Sequence, residues 1–363
     1  VRIGLRAALL LALLAAFPLH AEILVALAWD LHGAGATPGV ELAIEQINRS
    51  GGLLGQTLRL VEFDDGCQEK QTMIVARLVA ERHPALVVGH GCSASTIAAA
   101  PVYDAAGAVL IAPAATHTKL TEMGLGSVFR LTGRDDRQAK VAANLIARRW
   151  PRSRIAVLND QSVYGLGLTD SVRTELAARH IPIALDGTFQ SRVAAHAELI
   201  ARLRDAKIDL VYVAAAWVQD IGTLLHELQD AALPVTLLSG DTANNVGSWL
   251  NGDVQSTPLL FTFLDDPLQK AAAAPLLARA KDRGITLNRV SVQAYAGIEA
   301  WAQSVRQAGT TDGRAVSRIL HRRKFDTVMG EIAFDSKGDL QPPASEWVWY
   351  QWRGSNRDRL DGN

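Results

Sequence analysis

The sequence predicts an α/β protein built as two doubly wound lobes in series. Short apolar runs bounded by Gly and Pro alternate with helix-spaced apolar patterns along nearly the whole chain, the order that gives mostly parallel sheets covered on both faces. The chain has 363 residues, too many for one core. Two hydroxyl-rich loops follow neighbouring apolar runs, at the strand edge where open α/β sheets bind ligands.

The first twenty-one residues stand apart from that fold. Arg2 and Arg6 precede an unbroken apolar run, Ala7 to Phe17, and Pro18-Leu19-His20-Ala21 supplies a cleavage site ending in Ala. This pattern is a secretory signal peptide, residues 1–21. The run is too short to span a bilayer; the competing reading is an uncleaved anchor. Leu19 is bulkier than the residue usual at its place, so the cut is less sharply marked than the signal. No lipid-attachment Cys follows, and the expected product is a soluble exported protein, periplasmic and monomeric, starting near Glu22.

From there the elements run in order. Ile23 to Trp29 is strand-like. Val40, Leu42, Ala43, Ile44 and Ile47 give a helix, opened by Pro38 and ended by Gly51-Gly52. A strand at 58–63 and a helix through Met73–Ala80 follow, then strands near 85–88 and 109–112. After Arg134-Asp135-Asp136-Arg137 a second series begins: helix 137–149, strand 154–158, a helix after Tyr164-Gly165, strand 181–185, helix 194–206, strand 210–213, helix 218–232 and strand 235–239. The segment 258–263 leads into helix-like stretches at 267–283 and 290–308, which read as additions to the first lobe. The aromatic tail 346–352 reads as a last strand of the second lobe with one packed face, or else as a docking patch.

Charge excludes some partners. Basic and acidic residues number 37 each, and loss of 1–21 removes two arginines and no acids, leaving 35 against 37, a net charge of about −2. That balance offers no footprint for nucleic acid or a membrane surface. Cys67 and Cys92 are the two cysteines. In an oxidising compartment their simplest reading is one disulfide, and a redox or metal role would need more ligands.

The loops suggest what is bound. Gly89-His90-Gly91-Cys92-Ser93-Ala94-Ser95-Thr96 and Pro113-Ala114-Ala115-Thr116 place the Ser93 and Thr116 hydroxyls beside a helix start with unpaired N–H groups, donors suited to a carboxylate. No nucleophile with a base stands near. Gly33-Ala34-Gly35-Ala36-Thr37-Pro38-Gly39 has the wrong spacing for a dinucleotide loop, His226-Glu227 lacks a second His, and no G-x-S-x-G elbow occurs. The expectation is a binding protein, with no catalytic residues, cofactor or metal.

These loops, with Ile47-Asn48-Arg49-Ser50-Gly51-Gly52, Phe63-Asp64-Asp65-Gly66-Cys67, Tyr164-Gly165-Leu166-Gly167, Asp326-Thr327-Val328-Met329-Gly330 and Lys337-Gly338-Asp339-Leu340, carry a resemblance. The chain resembles the type I periplasmic binding proteins, most closely their leucine/isoleucine/valine-binding branch, over nearly all of the mature length. The resemblance implies two Rossmann-like lobes, 22–133 plus 265–330 and 134–264 plus 331–363, joined by a three-crossover hinge near 133, 264 and 331. It implies a Cys67–Cys92 disulfide, in agreement with the cysteine reading, and delivery of a small ligand to a membrane ABC permease. It implies that Ser93 binds the ligand carboxylate, that Thr116 serves carboxylate and amine, and that the Ala114 carbonyl accepts from the amine. Tyr164 and Trp217 are the matching cleft aromatics, and Asp241 matches the acid that pairs with the ammonium.

Local alternatives stand beside these roles. Ser93 and Thr116 can cap, Asp241 can start a turn or cap a helix, Tyr164 can pack at a lobe edge, and Trp217 can be a core residue. The chain also departs from the branch. Asp241 replaces Glu, Trp217 replaces Tyr, and the loop after the first strand is several residues shorter, leaving Trp29 or His32 as a possible pocket wall. The side-chain-reading half is therefore altered: the ligand is an aliphatic or other amino acid, an amide or an aromatic carboxylate. A receptor of the same fold that signals to a partner protein is the competing function.

Overall fold

The computed structural model describes residues 22–31, 35–249, 257–344, 346–354 and 356–360. The expected signal segment and His32 lie outside them.

Strands β1 (Glu22–Trp29), β2 (Thr57–Asp64), β3 (Leu86–Gly89), β4 (Val109–Ala112) and β5 (Val128–Arg130) form one sheet in the order β2-β1-β3-β4-β5. Its pairings are all parallel. Burial on both faces explains why β1, β3 and β4 read as continuous apolar runs. Val25, Leu27, Val88 and Ile111 enter one core, and Ala26, Ala28, Val87 and Leu110 the other. Each large aliphatic chain so buried contributes about 1.5–3 kcal/mol.

A second sheet collects β6 (Ile155–Asn159), β7 (Ile183–Thr188), β8 (Leu210–Ala214), β9 (Thr236–Ser239) and β10 (Leu259–Leu264). A separate hairpin, β11 (Lys324–Thr327) and β12 (Gly330–Ala333), follows in the chain, and β13 (Trp347–Arg353) and β14 (Asn356–Arg359) then return to the second sheet. Its order is β14-β13-β10-β9-β8-β6-β7, with β13 antiparallel to both neighbours. Both sheets change winding direction beside their first strand, the switch point at which such sheets open a crevice.

Helices α1 (Thr37–Arg49), α2 (Glu69–Ala80), α3 (Ser93–Ala105) and α4 (Lys119–Glu122) belong to the first series. Helices α5 (Asp135–Arg149), α6 (Val163–Ala177), α7 (Ala197–Asp205) and α8 (Val218–Asp230) belong to the second. Helices α9 (Ala274–Asp282), α10 (Arg289–Ala308) and α11 (Gly313–Leu320) follow β10. The Asn288/Ser291 capping box opens α10, which buries Val292, Ile298, Trp301 and Val305 in the core of the first sheet. Leu276 and Ala280 of α9 pack in the same core.

Three details depart from the sequence reading. The expected helix 267–283 is two short 3₁₀ turns and then α9, because Pro267 and Pro275 each start a new segment. Ile332, Phe334 and Leu340 still pack in the first core. Ala344 packs against it as well, so the chain is still with that core past 331. The tail strand is packed on both faces: Val348, Tyr350 and Trp352 enter one core and Trp349 the other. Both faces of this sheet are covered, so the strand has no solvent face and no one-sided pattern.

The passage near 133 is tight. A Cβ on Gly133 would lie 2.6 Å from the Trp347 indole, so only glycine lets that ring approach. The indole nitrogen donates to the Arg134 carbonyl at 2.9 Å.

Candidate functional site

The C-terminal edges of the two sheets face a common cavity of about 460 Å³. Ser93, Ala114, Thr116, Tyr164, Trp217, Asp241 and Trp29 all line it, and the bonded Cys67 and Cys92 form part of its wall. The structure thus brings together every described residue singled out from the sequence.

The first-sheet side is made of backbone and hydroxyls. Ser93 opens α3, and no side chain caps that helix, so its first-turn N–H groups have no side-chain acceptor at the cavity edge. The Thr96 hydroxyl accepts from the His90 N–H at 3.3 Å and donates to the Cys92 carbonyl at 2.8 Å, fixing the loop before it. The Cys67–Cys92 bond, with its Cα atoms 5.6 Å apart, ties this loop to the end of β2. Beneath, the His90 ring contacts the Asp65 carboxylate on one side and the Tyr103 hydroxyl, at 3.0 Å, on the other.

The second loop is held from below by Arg130. Its Nη1 donates to the carbonyls of Ala115 at 2.7 Å and His117 at 3.0 Å, the residues on either side of Thr116. Arg130 is fully buried and pairs with Asp339 at 2.7 Å. Asp339 also accepts from Arg134 at 2.7 Å and from the Thr121 hydroxyl.

The second-sheet side carries charge. Asp160 holds two of its loops together, accepting from the Ser162 N–H at 3.0 Å and the Ala216 N–H at 2.7 Å. Ser162 caps α6 through the Gly165 N–H at 2.9 Å and so places Tyr164. Trp217 is half-buried at the start of α8, with the Arg192 guanidinium 5.0 Å from its ring centre. That position is a cavity wall, not the core under the helix. Asp241 begins a 3₁₀ turn after β9, and its Oδ1 accepts from the Tyr164 hydroxyl at 2.9 Å. A Cβ on the preceding Gly240 would stand 2.4 Å from that hydroxyl, so glycine makes the pairing possible.

Below Asp241 lies a buried polar relay. With its amide oriented to satisfy every neighbour, Gln138 accepts from the Asp241 N–H at 2.9 Å and the Thr262 hydroxyl at 2.8 Å, and donates to Asp135 at 3.1 Å. Burial and then the Asp241 charge push the Asp135 carboxyl up to about 8, while a hydrogen bond with Thr116 pulls the other way.

Sequence reasoning missed Arg289, Phe263, Asn244 and Asn288, which also line the cavity. Arg289 opens α10, and its Nη2 stands 3.7 Å from Asp241 Oδ2. No local signal marks it: it is one arginine at a helix start, brought to the cavity by a chain that returns to the first sheet.

Two α/β layers with facing crevices and a cavity edged by donors, acceptors and rings define a receptor-like protein class. Comparison with known proteins gives the family. A family model described as "Periplasmic binding protein" matches residues 26–357. An "Amino acid binding protein" of Pseudomonas aeruginosa is 31% identical over 342 residues, covering 92% of this chain and 90% of the relative. A "Leucine-, isoleucine-, valine-, threonine-, and alanine-binding protein" of the same organism is 32% identical over 330 residues, covering 89% and 85%. Among solved structures, a leucine-binding protein of Thermotoga maritima superposes with a TM-score of 0.80 at 18% identity, covering 93% of this chain and 97% of that one. The chain belongs to the periplasmic binding protein family.

Proposed function

We propose that this protein is the exported receptor of an ABC importer, capturing a small α-amino acid of the branched-chain class or a relative of it. The observation that carries the reading is the single cavity lined by Ser93, Ala114 and Thr116 from one sheet and Tyr164, Trp217 and Asp241 from the other. A zwitterion in a dry cleft needs donors at one end and acceptors at the other, since an unpaired buried charge costs several kcal/mol. Ser93, Thr116 and the α3 N–H groups supply donors. Asp241, with the Ala114 carbonyl, supplies acceptors. Two lobes, one around each sheet, close over the ligand through passages near 133, near 264 and beyond 340, and the closed monomer docks on its permease. The role is binding, not catalysis.

A second reading, an aromatic carboxylate, is favoured by the Trp29, Tyr164, Trp217 and Phe263 rings around the cavity. Titration calorimetry of refolded, ligand-stripped protein separates the two. Tight binding of an α-amino acid, reduced about 100-fold or more by Ser93→Ala/Thr116→Ala, is expected, because each removed hydrogen bond to a charged group is worth about 1.5–3 kcal/mol. Unchanged binding by that variant would overturn the site. Binding only of carboxylates without an amine would transfer the protein to the second reading.

A further inference from the structure

We propose that Arg289 is the specificity-determining residue of this cleft, selecting an amino acid whose side chain ends in an oxygen acceptor, a carboxamide or a carboxylate. The proposal rests on the α-amino-acid part of the reading above and replaces its branched-chain side chain by one that ends in an acceptor.

The guanidinium is held in place by groups outside the ligand volume. Its Nη1 donates to the Thr132 hydroxyl at 3.2 Å and to Gln293 Oε1 at 2.9 Å, and Gln293 in turn donates to the Leu131 carbonyl at 2.7 Å. Its plane lies 4.7 Å from the centre of the Phe263 ring, which lines the same cavity. One edge is therefore fixed by the first layer and one face by the second, while the Nη2 edge is turned toward the cavity acid Asp241.

That edge is not used up by Asp241. An arginine kept to neutralise a carboxylate makes short, commonly bidentate bonds at about 2.7–2.9 Å. Here the nearest approach is 3.7 Å, beyond hydrogen-bond distance, and Asp241 Oδ1 is already taken by Tyr164. The other nearby acid, Asp266, is held by Arg357 at 2.5 Å.

The bound state raises the demand. When a ligand ammonium reaches Asp241, the charge facing Arg289 is compensated, and a guanidinium shut into the cleft needs a new acceptor. An aliphatic side chain leaves that need unmet. A side-chain amide or carboxylate meets it, while the α-carboxylate stays on the neutral donors of Ser93, Thr116 and α3. The set then has one complementary group for each polar end of the ligand. A site built to hydrogen-bond a ligand group discriminates strongly against analogues lacking it, because its own polar group is then left unpaired.

The test is titration of the full mature protein and of Arg289→Met with L-glutamine, L-asparagine, L-glutamate, L-aspartate, L-leucine and benzoate. The wild type is expected to bind at least one acceptor-bearing amino acid about 10- to 100-fold more tightly than leucine, and Arg289→Met to abolish or reverse that ratio. Whether the amides or the acids lead tells which acceptor is read. Arg289→Lys, which keeps the charge and loses the planar fork, is expected to give an intermediate ratio and decides the matter should the Met variant not fold. Leucine binding tightest to the wild type, or a ratio untouched by either variant, overturns the proposal. Ser93→Ala/Thr116→Ala, run in parallel, separates this failure from failure of the site: loss of binding there with an unmoved ratio at Arg289 removes only the role of Arg289, whereas retained binding removes the site beneath both.

Discussion

The two sides of the cavity are built by different physics. On the first-sheet side the groups that face the cavity are neutral, and what holds them lies in or behind its wall: the Cys67–Cys92 disulfide, a buried His90 between Asp65 and Tyr103, and Arg130 gripping the carbonyls around Thr116. On the second-sheet side the cavity is lined by side chains, Asp241, Tyr164 and Trp217, and Arg289 reaches them from the start of α10 in the first layer. A carboxylate is common to every amino acid, so its receptor can be prefabricated from backbone and braced once. The rest of the ligand varies, and single charged side chains are the parts that can be exchanged without rebuilding a loop.

Breaking the brace should therefore hurt stability more than any change on the charged side. Asp339→Ala leaves the fully buried Arg130 without its carboxylate, and a loss of about 3–5 kcal/mol in unfolding free energy is expected by urea denaturation. A loss below 1 kcal/mol would mean that the loop around Thr116 holds itself. Next comes Cys67→Ser/Cys92→Ser. It opens a loop of 25 residues and should cost about 3 kcal/mol in the chain-entropy model. If the brace works as argued, amino-acid affinity falls with it, and calorimetry of the folded variant reads that directly.

A pH series sharpens the comparison from beneath the charged side. Burial, with the Asp241 charge, raises the folded-state carboxyl of Asp135 from 3.8 to about 8. The native protein then keeps a proton that the unfolded chain releases, so this contribution is complete below about pH 4 and is lost as pH rises toward 8. The slope is at most about 1.4 kcal/mol per pH unit. Glu299, pushed up to about 7 mainly by burial, titrates in the same window. The difference between wild-type and Asp135→Asn stability curves isolates Asp135; parallel curves would show that it does not hold the proton.

Much of the first-sheet half was legible in the sequence because its signals are local. Gly89 to Thr96 and Pro113 to Thr116 follow uninterrupted apolar strands, and a loop at a parallel strand's end has few other places to go. Asp241 and Tyr164 were placed with the aid of family likeness, and their hydrogen bond was not. Arg289 escaped altogether, since nothing beside it in the chain announces a site. The tail misled for a related reason: alternating aromatics suggest one packed face, but a core lies against each face of β13.

The sequence by itself determined most of the strand and helix order, the pairing of Cys67 with Cys92 and the hydroxyl loops, because periodicity, compartment and turn chemistry act over neighbouring residues; the short elements at 119–130 and 313–333 and the last strand carry too little pattern to be read. Only the tertiary structure decided that residues 332–340 stay with the first core, that Arg130 and Asp339 grip the Thr116 loop from positions 209 residues apart, and that Arg289 faces Asp241. Those arrangements depend on where the chain returns after each crossing, and burial makes that choice through the summed fit of distant surfaces, which no local pattern records.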